Sequence, residues 1–163
     1  GAAPAAVGMR TLALDGSGDA TTGKVDGWCN GCIPGSDGKD STVTLDSAES
    51  KDCSGSGCDP HERTGNWVIK NSVSHRNGLD GFVADYLSYS VFENNVPYDN
   101  DRHGFNVGTS THDFTLSNNV AYGTRRTGIV AQRGRETRPS PPNHTTPRGA
   151  AYGRAPEGEL RRR

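Results

Sequence analysis

Three stretches of this chain follow one template: IKNSVSHRNGLDGF (residues 69–82), FENNVPYDNDRHGF (92–105) and LSNNVAYGTRRTGI (116–129). Four glycines keep the same beat, since Gly57, Gly81, Gly104 and Gly128 lie 24, 23 and 24 residues apart. A unit this short cannot bury an apolar face by itself, so a period in the twenties demands that successive units stack as a solenoid. The aligned columns agree physically. Ile69, Phe92 and Leu116 share one, Val73, Val96 and Val120 another, and Phe82, Phe105 and Ile129 a third. Asn71, Asn94 and Asn118 fall between the first two. The pattern apolar–x–Asn–x–apolar has the period of a strand, with alternate residues facing inward. An inward asparagine is costly alone, but stacked on identical neighbours its amide can bond along the ladder. These features predict an all-β chain, a right-handed parallel β-helix with coils about 4.8 Å apart. Leucine-rich repeats share the period, but these coils lack the leucines that such repeats need at fixed positions.

Composition narrows the fold and the partners. Only 31% of residues are hydrophobic and 22 are glycine, which suits short strands and turns better than a helical bundle. A formal net charge of −1 argues against nucleic acid or a membrane surface as partner. No apolar run approaches the ~20 residues that span a bilayer. A monomer is expected. The opening GAAPAAVGMR lacks the charged and apolar regions of a signal peptide and reads as a chain entered midway. TLAL (11–14) and STVTL (41–45) look like strands of the first coils, separated by a glycine-rich insertion over residues 15–40 that is expected to be a surface loop. Residues 133–163 hold eight arginines and five prolines, and the inward columns fade there. The expected division is therefore a partial β-helix over 1–134 and a basic, poorly ordered or degraded coil over 135–163. Cys29 and Cys32 in CNGC, with Cys53 and Cys58, admit a thiolate-held metal, a disulfide or packed free thiols, the last being the default.

Each repeat glycine leads into a short strand: CDPH (58–61), FVAD (82–85), FNVG (105–108) and IVAQ (129–132). Alternation sends Cys58 and Pro60, Phe82 and Ala84, Phe105 and Val107, and Ile129 and Ala131 into the core. Asp59 with His61, Val83 with Asp85, Asn106 with Gly108, and Val130 with Gln132 then face outward. One outer wall thus gathers Asp59, His61 and Asp85, with Arg102 and His103 just ahead of the next glycine. Two acids, two histidines and an arginine on one rigid face form a candidate polysaccharide site. A single surface Asp or His is ordinarily only solvated. Arg102 also has an alternative in a surface ion pair with Asp99 and Asp101, which would contribute little.

Longer motifs carry a resemblance. GKVDGW (23–28), IPG (33–35), DPHE (59–62), NGLDGFVADY (77–86), VFENNV (91–96), NDRHGFNV (100–107), STHDF (110–114), NNVAYG (118–123) and QRG (132–134) resemble the catalytic module of secreted mannuronan C5-epimerases, over roughly residues 11–134. The resemblance implies a pectate-lyase-like right-handed β-helix, which agrees with the columns. It also implies an extracellular protein whose partner is alginate, and an isomerase that converts mannuronate to guluronate within that polymer. The family's DPH motif falls on Asp59 and His61, and its catalytic arginine on Arg102. Its substrate-contacting lysine and aspartate fall on Lys24 and Asp26, and the acid and histidine lining its groove on Asp85 and His103. A further family lysine falls on Arg162. The family's catalytic tyrosine falls on Ser56, which is a departure, because a phenol with pKa about 10 shuttles a proton far better than an alcohol. Calcium is implied by the relatives and by a polyanionic substrate, although no complete calcium-binding loop can be read. The calcium-binding nonapeptide repeats of many relatives, and the usual first coils and cap, are unmatched, so a fragment or decayed copy is expected.

The implied chemistry begins at the C5 proton, alpha to a carboxylate. Arg102 and Asp59 would disperse the charge that builds when this proton leaves, and His61 would transfer protons near neutral pH. Ser56, a water or Tyr86 would stand in for the phenol. Three rivals stay open: an alginate lyase acting by β-elimination at the same site, an alginate-binding module without turnover, and an inactive fragment with exposed coil ends.

Overall fold

The computed structural model describes residues 6–10, 13–15, 33–34, 42–60, 66–108, 111–132, 137–139 and 144–145, all of whose regular elements are strands. Every pairing between them is parallel. The first ladder contains β1 (Ala6–Arg10), β4 (Thr42–Asp46), β7 (Trp67–Lys70), β10 (Val91–Glu93), β13 (Phe114–Ser117) and β16 (Thr137–Pro139), stacked in that order. The second contains β2 (Ala13–Asp15), β5 (Glu49–Lys51), β8 (Val73–His75) and β11 (Val96–Tyr98). A bridge from Tyr98 to Tyr122 continues it toward the pair β14 (Val120–Ala121) and β17 (His144–Thr145). The third contains β3 (Ile33–Pro34), β6 (Cys58–Asp59), β9 (Phe82–Ala84), β12 (Phe105–Val107) and β15 (Ile129–Ala131). The chain thus visits three faces per coil and returns one coil higher, as the repeat requires. β3 lies inside the span expected to be a surface loop, so the insertion contributes a strand to the third face.

The corners explain the asparagine signal, and they correct its reading. Ser47, Asn71, Asn94 and Asn118, which follow the first ladder, all have positive φ, between 53° and 61°. Asp52, Arg76, Asp99 and Gly123 do the same after the second ladder, and Asn66, Tyr89 and Asp113 before the first. Asparagine tolerates the left-handed conformation better than most side chains, so Asn71, Asn94 and Asn118 are exposed turn residues and not the inward column. The bend carries the alternation one residue on. Ser72, Asn95 and Asn119 are the buried column, and Val73, Val96 and Val120 are only half-buried.

Two inward polar ladders result. Asn95 Oδ1 accepts the Ser72 N–H (3.0 Å) and its Nδ2 donates to the Ile69 carbonyl (2.9 Å). Asn119 repeats this one coil on, with the Asn95 N–H (2.8 Å) and the Phe92 carbonyl (3.0 Å). At the next corner Asn100 Oδ1 accepts from Asn77 Nδ2 (2.9 Å), an amide-to-amide bond along the stack. Each amide thus accepts from a corner N–H that the turn removes from the strand ladders and adds a donor to a strand carbonyl.

Between the ladders lies an apolar core. Leu45, Ile69, Phe92 and Leu116 stack in register, Phe82 stacks on Phe105 at 5.2 Å, and Phe92 meets Phe114 edge-on at 5.0 Å. Each such side chain contributes roughly 1.5–3 kcal/mol by burial. The repeat glycines are fixed by space. A Cβ on Gly57 would lie 2.0 Å from Ser74 Oγ, and one on Gly104 would lie 2.5 Å from the Gly128 carbonyl oxygen. Cys58 is a buried free thiol, as the default reading has it, whereas Cys53 is disulfide-bonded. Cys29 and Cys32 lie outside the described residues.

Candidate active site

The third ladder and the turn leading into it carry the candidate residues. Gly57, Gly81 and Gly104 donate their N–H groups to the carbonyls of Asp80 (2.9 Å), His103 (2.9 Å) and Thr127 (3.1 Å). Ser56, Asp80, His103 and Thr127 therefore form one column, and Asp59, Val83, Asn106 and Val130 the next along the strands.

Asp80, in the centre of the first column, was not singled out from the sequence, and it organises the site. Its side chain is 0% exposed. It accepts hydrogen bonds from Arg102 Nε (2.8 Å), Arg102 Nη2, the His103 backbone N–H (3.0 Å) and Asn106 Nδ2 (3.0 Å). Four donors match the four lone-pair directions of a carboxylate. The signal for it was its place directly before a repeat glycine, the same position that His103 holds one coil on.

Arg102 pairs with this buried acid, not with Asp99 or Asp101 as the alternative had it, and Asp101 instead meets Arg125 at 3.6 Å. The Asp80 bond raises the pKa of the guanidinium, with the nearby charge of Asp59 adding to it. The Arg102 side chain is 34% exposed. The Asp80 bonds occupy its Nε–Nη2 edge, and among the described residues nothing else is hydrogen-bonded to the guanidinium.

His103 Nδ1 accepts the Thr127 N–H (3.2 Å), which places the proton of the neutral ring on Nε2. Burial lowers the pKa of this ring below its ordinary value, with Arg102 and Arg126 acting in the same direction and Asp80 opposing them. Asp59 is 6% exposed and Ser56 3%. Both lie deeper than an open outer wall predicts, in the layer that Asp80 and Arg102 build. Asp85 stands at the end of β9. Its Oδ1 accepts the Tyr86 N–H (3.1 Å), and its side chain covers Gly108, where a Cβ would lie 2.0 Å from that oxygen. Tyr86 is exposed and has a positive φ of 55°.

Ser56, Asp59, Arg102 and His103 are thus brought around Asp80, and Asp85 lies further along the same face. His61, Lys24, Asp26 and Arg162 lie outside the described residues. Among the described residues no three His, Cys, Asp or Glu side chains converge closely enough to hold a metal ion.

Comparison with known proteins agrees with this geometry. Mannuronan C5-epimerase AlgE3 of Azotobacter vinelandii is 59% identical over 151 residues, 93% of this chain and 8% of that protein. The solved A-module of mannuronan C5-epimerase AlgE4 from the same organism superposes with a TM-score of 0.67 at 59% identity, covering 91% of this chain and 40% of that one. Alginate lyase 7 of A. vinelandii is 52% identical over 106 residues, 65% of this chain and 12% of that protein. The chain spans under a tenth of the first relative's length. Residues 16–141, most of the chain, match the right handed beta helix region family, and the chain belongs to that family.

Proposed function

We propose that this chain carries part of a polysaccharide C5-epimerase site, which converts mannuronate to guluronate residues within alginate. The observation that carries the reading is Arg102, a guanidinium clamped on one edge by a buried acid while its side chain stays partly exposed. The similarity to mannuronan C5-epimerases at 59% identity supports the substrate class.

The chemistry follows from the substrate. The C5–H bond lies alpha to the uronate carboxylate, so removing that proton places a second negative charge on the carboxylate oxygens. Arg102, with Asp59 as hydrogen-bonding neighbour, stabilises that charge. One group takes the proton from C5 and a second returns a proton to the opposite face, so the configuration inverts with no net change in atoms. His61 is the proton-transfer group that the resemblance supplies. His103, whose neutral ring carries its proton on Nε2, is a hydrogen-bond donor to sugar or carboxylate oxygen. Ser56 stands where the family has a tyrosine, which predicts slow turnover. Lys24, Asp26, Asp85 and Arg162 are the further substrate contacts.

Secretion is supported by the disulfide at Cys53, a bond that persists in oxidising compartments. Calcium belongs to this reading only through the family, and no step is routed through it.

The test is incubation of the chain with polymannuronate in deuterated water. Deuterium at C5 with a rising guluronate fraction and intact chains is expected, and Ser56→Tyr should raise the rate of exchange. Binding without exchange in either protein would replace the proposal with a non-catalytic alginate-binding module. The 52% identity to an alginate lyase favours one second reading, in which the same carbanion expels the C4 oxygen. Its signature is near-ultraviolet absorbance from unsaturated ends with shortening of the polymer.

A further inference from the structure

Asp80 is a buried charged group for which the proposed chemistry has no direct use. It touches no solvent, so it cannot meet a polymer lying on the face. Burying a carboxylate costs several kcal/mol unless its oxygens are fully hydrogen-bonded, and here four donors from three residues converge on it. All three come from the following coil, at sequence separations of 22, 23 and 26 residues. The acid therefore ties one coil to the next at the point where the candidate site lies.

We propose that Asp80 is the positioning residue of the site: by holding the Nε–Nη2 edge of Arg102 it aims the remaining Nη edge at a uronate carboxylate on the outer face. This rests on the polyuronate reading above. A guanidinium has five N–H donors in a rigid plane and offers two separate forks. Asp80 takes the side fork, leaving the end fork, and with it the rotation of the side chain is fixed. An arginine otherwise carries about 2 kcal/mol of rotamer entropy that each binding event must overcome. The same acid holds the His103 backbone N–H and the Asn106 amide, so the guanidinium and the His103 ring keep one mutual orientation. Lysine cannot replace Arg102 in this arrangement, because one ammonium cannot present two separate planar forks.

Asp80→Asn is the near-isosteric variant. Its oxygen can still accept the His103 N–H and Arg102 Nε, but its NH2 group opposes the Nη2 donor of Arg102 and the Asn106 amide. Calorimetry with a mannuronate oligomer is expected to show binding weakened about tenfold in Asp80→Asn, the loss expected for a charge-assisted pair. Arg102→Ala should lose at least as much, and the double variant no more than Arg102→Ala alone. Wild-type affinity in a folded Asp80→Asn protein, or losses that add in the double variant, would overturn the proposal. A second readout needs no ligand. The 15N-resolved Nη2–H signal of Arg102 should exchange slowly in the wild type and vanish into the solvent-averaged arginine signals in Asp80→Asn, and its persistence would overturn the clamp. If the wild type bound no oligomer while this signal behaved as expected, the polyuronate reading would fall and the clamp would stand. If Asp80→Asn failed to fold, Arg102→Lys would decide: binding should fall about tenfold, and unchanged affinity would refute the two-fork geometry.

Discussion

The inward asparagine ladder makes a prediction that separates a buried hydrogen-bonding role from mere space-filling. Asn95 is fully buried, accepts the Ser72 N–H at 3.0 Å and donates to the Ile69 carbonyl at 2.9 Å. Asn95→Ala leaves the Ser72 N–H buried without a partner and takes one of its donors from the Ile69 carbonyl, so the expected loss is roughly 1–3 kcal/mol. Against a total stability of about 5–15 kcal/mol, that is a large fraction. Asn95→Asp is the sharper variant. The aspartate keeps the shape and the acceptor, but it can donate to the Ile69 carbonyl only when protonated. Burial and the facing carbonyl both disfavour its charge, so its pKa in the folded chain lies above the unfolded value of about 3.9. The sign follows: the unfolded chain releases its proton first as pH rises. The variant is therefore closest to the wild type below about pH 4, and its deficit grows above that by up to about 1.4 kcal/mol per pH unit until the buried carboxyl ionises. The assay is urea unfolding of both proteins at pH 4 and pH 7, followed through the buried Trp67, with the wild type subtracted at each pH. An equal deficit at the two pH values would show that the ladder amide is not a required donor.

The remaining predictions concern two titrating groups. Burial pushes the Cys58 thiol far above its ordinary pKa, with the neighbouring Asp59 acting in the same direction, so Cys58 should resist thiol reagents in the folded chain and react in denaturant; equal rates would contradict its burial. The pKa of His103 is lowered by burial, so the unfolded chain takes up its proton first as pH falls through about 6.5. Stability should therefore decline below that pH by an amount that His103→Gln removes. The ring's proton NMR titration should show a midpoint below 6.5, and a midpoint above it would refute the assignment.

What the sequence revealed, and what it hid, follows from which interactions leave a periodic trace. Gly57, Gly81, Gly104 and Gly128 gave the coil register directly, and at Gly57, Gly81 and Gly104 close approach forbids a side chain. Ile69, Phe92 and Leu116, and Phe82, Phe105 and Ile129, were legible for the same reason, since an apolar column repeats wherever coils share a core. The asparagines misled by one residue. Two adjacent positions are Asn in the later repeats, one chosen for positive φ and one for its amide, and period-two reasoning cannot tell them apart across a corner. Asp80 left no repeating trace, because its column reads Ser56, Asp80, His103 and Thr127. A residue whose partners are the unlike residues of the next coil is visible only once the register is known. The covered positions of Asp59 and Ser56 were likewise hidden, since alternation says which face a side chain leaves by and not what lies over it.

Inside the solenoid, like residues stack on like, and Asn95 with Asn119 or Asn77 with Asn100 lock each coil to its neighbour. Outside, the same register sets unlike residues side by side, which is how an acid at position 80 reaches a guanidinium at 102 and an amide at 106. A slip of one residue would send the core face outward and turn every site residue inward. The inward ladders thus hold the register on which the outward cluster depends. Asn100 illustrates the link: it bonds Asn77 in the coil below and lies two residues before Arg102. The amide that fixes the corner thereby fixes where the guanidinium chain starts, and Asp80 fixes where it ends.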